Sequence, residues 1–469
     1  MNFYTYSAPG SAEDRARTLE AHKDYAAVGL NVLMLTGKNG YDGDGWEQSN
    51  AKKCFDYAKE AGIERIILDD HRIMGLIQQN ISLVGEGNRF ANEQALDDYI
   101  ASCMQDYKDE PLFYGLRLRD EPTMPFLTSF AEVYRSVKRV GKRLGISDSL
   151  YMHINLLPYV GDFPLGVTDE QAQGPAAKYE YYLEAFARET GADRMSIDNY
   201  PFRPRNLGGI FLMGYFICFQ IFRRVCDKYG MEMSFVMQSF EMIHKTKEYA
   251  TAGYRRITTV NEMMLQMNAA LGFGVRDVSF YTYVTMNSAD ANERSNYRSS
   301  DGSSFITREG EKTRLYGFAK TAIAHAKALE ETLFAYDFKG ANLSVHETAP
   351  EECKGLYLGG AEFTTLGGTT KGGAFDNSYR FKSLKSLSHD SDILLATEFK
   401  NGKGGHMLMI ENVLDVVYKT TLTPMQARVD FGSAKKIKVF RRGAWTELEL
   451  TTGIYEVELA VGEAVYILV

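Results

Sequence analysis

Two carboxylates carry the most chemistry in this sequence. Glu121 follows the apolar run Phe113 to Leu116, stands beside Asp120, and precedes Pro122, a residue that discourages continued regular structure and turns the chain away. Asp198 ends a second strand-like run and is followed by Asn199, Tyr200 and Pro201. A pair of carboxyl groups facing one cavity is what cleavage of a glycosidic bond needs: one protonates the leaving oxygen, the other attacks or activates water. Each residue also has a plainer reading. Asp120 and Glu121 suit a cap or a loop salt bridge, and Asp198 suits an Asx-type turn before Pro201.

Around these two lie side chains suited to holding a polyhydroxylated ligand. They are Asp70 and His71 in Asp69-Asp70-His71-Arg72, then Asp120, Asn155, Tyr200, Gln238, Tyr281 and Tyr283. Tyr4 and Tyr6 lie on the first strand-like run. Amides and carboxylates bond hydroxyls, and aromatic rings stack on sugar faces. Glu241 is a further acid, but an exposed one. Thr259-x-x-Glu262 reads as a capping box at a helix start rather than as a site. Asp69, Asp70 and His71 invite a metal, yet neighbours on a strand point to opposite faces and no third ligand is evident, so no metal or cofactor is expected. Arg72, Arg119, Arg203 and Arg205 are candidates to pair with a carboxylate-bearing sugar.

These residues become a site only if a scaffold brings them together. Short strand-like runs occur at Phe3–Ala8, Asn31–Thr36, Arg65–Asp70, Phe113–Arg119, Tyr151–Leu156, Arg194–Asp198, Met233–Gln238 and Asp277–Tyr283. Helical periodicity falls between and after them, at Ala12–Val28, Glu93–Gln105, Phe126–Leu144, Tyr179–Thr190, Asn261–Leu271 and Glu309–Phe334. Eight such units fit an α/β fold of the (β/α)8 TIM barrel type over residues 1–335, whose chemistry sits where strands end. Every candidate above falls at such an end. A doubly wound sheet would carry a nucleotide-binding glycine fingerprint after its first strand, and Ala8-Pro9-Gly10-Ser11 is not one.

Past Phe334 the texture changes. Asp392–Phe399, Met407–Glu411, Lys436–Phe440, Thr446–Leu450 and Ala464–Val469 are short, partly alternating, and separated by turn signals such as Asn401–Gly405. They predict a C-terminal antiparallel β-sandwich over residues 336–469. Glycine-rich Gly355–Asp376 reads as a long loop or irregular hairpin, and Asn287–Ser304 as a wall or lid over the barrel.

Composition removes other classes. With 53 Lys+Arg against 61 Asp+Glu, the net charge is −8 and no basic run exists, so nucleic acid is a poor partner. Five scattered cysteines without a CxxC pair support neither a disulfide framework nor a zinc ribbon. No lysine lies on strands three to eight, which disfavours a Schiff-base aldolase. The loops after strands seven and eight lack glycine, so the usual barrel phosphate cradle is missing. The uncharged run Asn206–Phe222 reads as a buried helix start and no membrane span is expected. No leader is evident, leaving a cytoplasmic protein or an exported one without its leader.

Three stretches taken in order, Gly115–Pro122, Met195–Phe202 and Thr259–Gly274, resemble the clan A glycoside hydrolases, in particular β-galactosidase-like barrels with a C-terminal β-domain. The resemblance implies an O-glycosyl hydrolase acting on an oligosaccharide or glycoside, with Glu121 as acid/base at the end of strand four. It also implies a strand-seven nucleophile, where this sequence has the amide of Gln238. An amide cannot form a glycosyl ester, so Asp198 becomes the favoured second catalytic carboxylate. A catalytically silent carbohydrate-binding barrel is the alternative.

Overall fold

The computed structural model describes residues 1–9, 18–146, 150–159, 164–202, 208–244, 253–254, 256–285, 297–298, 300–345, 362–365, 368–371, 375–390, 393–413 and 424–469. Its first half is a parallel eight-stranded barrel. The strands are β1 Asn2–Thr5, β2 Val32–Leu35, β3 Arg65–Leu68, β4 Phe113–Asp120, β5 Tyr151–Leu156, β6 Arg194–Asp198, β7 Glu232–Gln238 and β8 Val275–Tyr281. They pair in the order β1-β8-β7-β6-β5-β4-β3-β2. The ring is drawn shut between its ends by Asn31, whose backbone N–H reaches Phe3 O at 3.0 Å while its side-chain oxygen accepts from Phe3 N at 2.8 Å.

Among the described residues, eight helices of nine or more residues flank the strands, besides a single α-helical turn at His71–Met74: α1 Leu19–Ala27, α2 Asn50–Ala61, α3 Glu93–Met104, α4 Leu127–Arg143, α5 Pro175–Thr190, α6 Gly208–Tyr229, α7 Val260–Gly272 and α8 Arg314–Phe334. The expected first helix began at residue 12; residues 10–17 lie outside the described residues, and α1 begins at Leu19. The alternation of strand side chains explains the two cores. Ile66, Leu68, Leu116, Leu118, Met195 and Ile197 face the helices, whereas Tyr4, Tyr6, Val32, Met34, Ile67, Tyr151 and Val236 fill the barrel interior. The uncharged run of the sequence lies in α6, where Tyr215, Phe216, Phe219 and Phe222 are buried. Among the described residues no helix is long and apolar enough to cross a membrane.

Among the described residues, a short antiparallel hairpin pairs Glu362–Thr365 with Gly368–Lys371 inside the glycine-rich stretch, and the rest of the C-terminal part is a pair of antiparallel sheets. Its strands are β9 Asp337–Val345, β10 Ser386–His389, β11 Ile393–Lys400, β12 His406–Asn412, β13 Met425–Asp430, β14 Lys436–Arg441, β15 Ala444–Glu449, β16 Ile454–Leu459 and β17 Ala464–Leu468. Six form one sheet, β9-β11-β12-β17-β14-β15, and three the other, β10-β13-β16. Leu394, Ala396, Leu408 and Ile410 meet Met425, Ala427, Val429 and Leu459 between the sheets. Their alternate neighbours Leu395, Phe399, Met407 and Met409 join the barrel's core instead. The larger sheet is therefore apolar on both faces, one against its partner sheet and one against the barrel helices. Asn268 on α7 fixes that junction by donating to Gly462 O at 3.0 Å and accepting from Tyr466 at 3.2 Å. Gly462 has φ +75°, and a Cβ there would lie 2.1 Å from Asn261 O, so only glycine fits.

Candidate active site

The C-terminal end of the barrel gathers its polar residues through an irregularity in β4. Arg117 pairs with His153 and Asp120 with Asn155, so three steps on β4 are matched by two on β5. That bulge restores Asp120 to the inward face after Arg117. Lower down, Gly115 lets Tyr151 close over β4; a Cβ there would sit 1.8 Å from Tyr151 O.

Glu121 then leaves the strand with φ +45°, in the left-handed region that a side chain seldom adopts, and its N–H is tied to Asn155 O at 2.9 Å. Such a residue costs of order 1–3 kcal/mol unless its surroundings enforce it. Here the conformation sets Glu121 against Asp198 from the end of β6, and the two carboxyl groups are in hydrogen-bonding contact. Asn155 Nδ2 bridges their neighbours, reaching Asp120 Oδ1 at 3.0 Å and Asp198 Oδ1 at 3.2 Å.

Three acids so close cannot all carry charge cheaply. Burial raises the Glu121 pKa, the charge of Asp120 raises it further, and the hydrogen bond from Asp198 opposes both. Asp198 is held well above the ordinary carboxyl range, first by burial and then by Glu121 and Asp120. Asp198 is 3 % exposed, while Glu121 is open to the mouth. These directions favour the proton on the enclosed Asp198, facing the Glu121 carboxylate. Tyr281 stands over the group; burial together with Asp120, Glu121 and Asp198 pushes its phenol up to about 12. Its ring lies 5.6 Å from Tyr6 and 6.1 Å from Tyr200, giving the mouth an aromatic wall.

Of the residues expected from sequence, Glu121, Asp198, Asp120, Asn155, Tyr200 and Tyr281 converge here. The others lie elsewhere, each for a visible reason. Asp70 points outward toward the helices, taking the Arg72 guanidinium at 2.7 and 3.0 Å and the Tyr107 hydroxyl at 3.0 Å. His71 faces Asp42 at 2.5 Å. Gln238 is fully buried in the wall, where its Oε1 accepts from Phe202 N at 3.0 Å and its Nε2 donates to Phe202 O and Phe240 O, tying together the loops after β6 and β7. Tyr283 packs outside the barrel on Tyr25 and Phe305. Glu262 completes the capping box with Thr259, and Glu241 lies beside Arg256. Arg72 is paired with Asp70 and Asp106, and Arg119 lies 3.7 Å over the Phe126 ring. Arg203 and Arg205, and residues 287–296 and 299 of the expected lid, lie outside the described residues. Among the described residues, no group of three or more His, Cys, Asp or Glu could hold a metal ion.

Sequence reasoning passed over Arg117 and His153, which lie beneath the acids. Asp69 binds Arg117 through two hydrogen bonds of 2.9 and 2.7 Å, deep in the barrel. His153 sits between Tyr6 and Tyr4. Polar residues within otherwise apolar strands were the available signal, because such groups are seldom buried without partners.

The fold, a parallel eight-stranded barrel followed by C-terminal antiparallel sheets, is similar to that of solved glycoside hydrolases. Among solved structures, a cycloisomaltooligosaccharide glucanotransferase from Paenibacillus sp., complexed with cycloisomaltoheptaose, matches at TM-score 0.53 and 8 % identity, covering 100 % of this chain and 85 % of its own. A glycoside hydrolase matches at TM-score 0.50 and 11 % identity, covering 96 % and 89 %. A β-L-arabinopyranosidase from Geobacillus stearothermophilus, solved with arabinose, matches at TM-score 0.48 and 10 % identity over 100 % and 96 %. No protein-family model matches the chain, and no curated protein matches it in sequence.

Proposed function

We propose that this chain is a glycosidase in which Glu121 and Asp198 cleave a glycosidic bond, the barrel of residues 1–335 being catalytic and residues 336–469 accessory. The observation that carries this reading is the contact between two carboxyl groups from different strands, both with raised pKa, at the mouth of a barrel lined by tyrosines. Acid/base pairs that divide one proton are how a site keeps an acid and a base ready at the same pH.

The roles follow burial. Asp198 holds the proton and serves as general acid, and Glu121, open to the mouth and ionised, attacks the anomeric carbon. This exchanges the role that sequence position suggested for Glu121. Inversion needs roughly 6.5–9.5 Å between the carboxyl groups to seat a water, and retention roughly 5–5.5 Å. Carboxyl groups within hydrogen-bonding reach lie on the short side of both ranges, nearer to retention than to inversion. Asn155, Asp120, Tyr200 and Tyr281 would hold the sugar. Arg72 and Arg119 are engaged elsewhere, which supports a neutral glycoside over a uronide.

A panel of aryl glycosides tests the proposal, with wild type, Glu121→Ala and Asp198→Ala compared with and without azide. Turnover of one glycoside is expected. Azide should rescue Glu121→Ala to give the inverted glycosyl azide, and Asp198→Ala to give the retained one. The reverse pattern would return the acid to Glu121. Sugar binding without turnover across the panel would make the chain a silent carbohydrate-binding barrel.

A further inference from the structure

Below the acids runs a file of hydroxyls and one imidazole whose proton directions can be deduced. Tyr6 Oη donates to Asp120 Oδ1 at 3.1 Å. A phenol has one proton, so at its 2.9 Å contact with His153 Nε2 the tyrosine must accept, and Nε2 must carry the hydrogen. His153 is 1 % exposed, and burial next to the Arg117 guanidinium brings its pKa down to about 3, so the ring is neutral and Nδ1 is bare. Nδ1 then accepts from Tyr4 Oη at 3.2 Å. Tyr4, its proton spent, accepts in turn from Tyr151 Oη at 3.0 Å.

The packing leaves the imidazole little freedom to turn. Its ring lies at 10° to that of Tyr151, 6.4 Å between centroids, and nearly perpendicular to that of Tyr4 at 5.5 Å. Arg117 from β4, bound by Asp69, is the charged group beside His153, and Asp277 and Arg194 act on the far end of the file at Tyr4 and Tyr151. Tyr4 and Tyr6 face it from β1, and Arg194 lies 4.6 Å over the far ring of Tyr151.

We propose that His153, locked as the Nε2–H tautomer, is a positioning residue that aims the Tyr6 hydroxyl at Asp120 and so keeps that carboxylate an acceptor for substrate hydroxyls or for the positive charge of the transition state. The file Tyr151→Tyr4→His153→Tyr6→Asp120 is unidirectional. Each hydroxyl donates its single proton once, so the direction of the Tyr6–Asp120 bond fixes every bond behind it. The role given to Asp120 toward substrate rests on the glycosidase reading; the direction of the file does not.

Heteronuclear correlation of 15N-histidine-labelled wild type measures the tautomer directly, with the His153 signals assigned by their loss in His153→Gln. The expected result is a protonated Nε2 and an unprotonated Nδ1, unchanged between pH 5 and 8. A protonated Nδ1, or an imidazolium within that range, overturns the proposal. Tyr6→Phe provides the functional arm. Tyr6→Phe takes a hydrogen bond away from the charged form of the acid cluster, so the acidic limb of kcat/KM is expected to lie at higher pH than in wild type. A variant that melts earlier but keeps the wild-type pH profile would make the file merely structural. If no glycoside is turned over, the glycosidase reading fails while the tautomer result still decides the direction of the file.

Discussion

Replacing Asp120 by Asn keeps the shape of the side chain and removes one charge beside the acid pair. Asn155 Nδ2 touches oxygens of both Asp120 and Asp198, at 3.0 and 3.2 Å, so those oxygens are within about 6 Å of each other. At an effective dielectric of about 20, two unit charges at that separation interact by roughly 2.8 kcal/mol, or about two pKa units. The Asp120 side chain is 41 % exposed, and solvent screening halves this, leaving roughly one unit. The sign follows from the charge: without a negative neighbour, the Glu121–Asp198 pair releases its proton more readily. Because the pair must enter the reaction with one proton, the basic limb of the pH profile of kcat/KM should fall at about one unit lower pH in Asp120→Asn. The assay is a pH series on an activated aryl glycoside; 13C titration of labelled carboxyl groups gives the same quantity without turnover. A basic limb that stays in place or moves upward would refute the electrostatic coupling.

Other outcomes test the scaffold. Gly115→Ala drives a Cβ to 1.8 Å from Tyr151 O and should cost about 3 kcal/mol or more, read by chemical denaturation. Asp69→Ala takes the two-bonded carboxylate from the buried Arg117 guanidinium, leaving it only the more exposed Asp120 at 3.7 Å, and should cost about 3 kcal/mol by the same measurement. Glu411 on β12 is fully buried, neither of its carboxylate oxygens has a hydrogen-bond partner among the described residues, and burial holds its pKa well above the ordinary value. A raised folded pKa means stability that is complete below the unfolded pKa and is lost as pH rises toward the folded one. Glu411→Met should therefore stabilise the protein by about 1–3 kcal/mol near pH 7.5 and by much less near pH 4. Thermal melts at the two pH values check this, and an equal gain at both would contradict it.

The barrel was legible because its strands carry strong apolar runs, and the end of each run marked where chemistry should lie. What the sequence hid was parity. On β3, Ile67 points into the barrel, so Asp69 does too and Asp70 points out; one residue separates a barrel ion pair from a helix-layer one. On β4 a bulge shifts the count, so Asp120 faces inward three places after Arg117, and nothing local to the sequence announces an extra residue. Gln238 stood at the expected place for a nucleophile, yet it serves two loop backbones that come from different parts of the chain. Tyr283 lies two residues beyond Tyr281 but outside the barrel, because the chain has already turned toward Phe305. The contact of Glu121 with Asp198 depends on strands four and six being next-but-one neighbours, which the barrel topology does supply.

The most direct test of the shared-proton pair is a mutant cycle on kcat/KM with Glu121→Gln, Asp198→Asn and the double variant, each confirmed to be folded. Groups that act as a unit are not additive. Each single change should lower kcat/KM by about 10²–10⁴-fold, and the double variant should be no worse than the poorer single one. Losses that multiply, or a single variant as active as wild type, would contradict the pair.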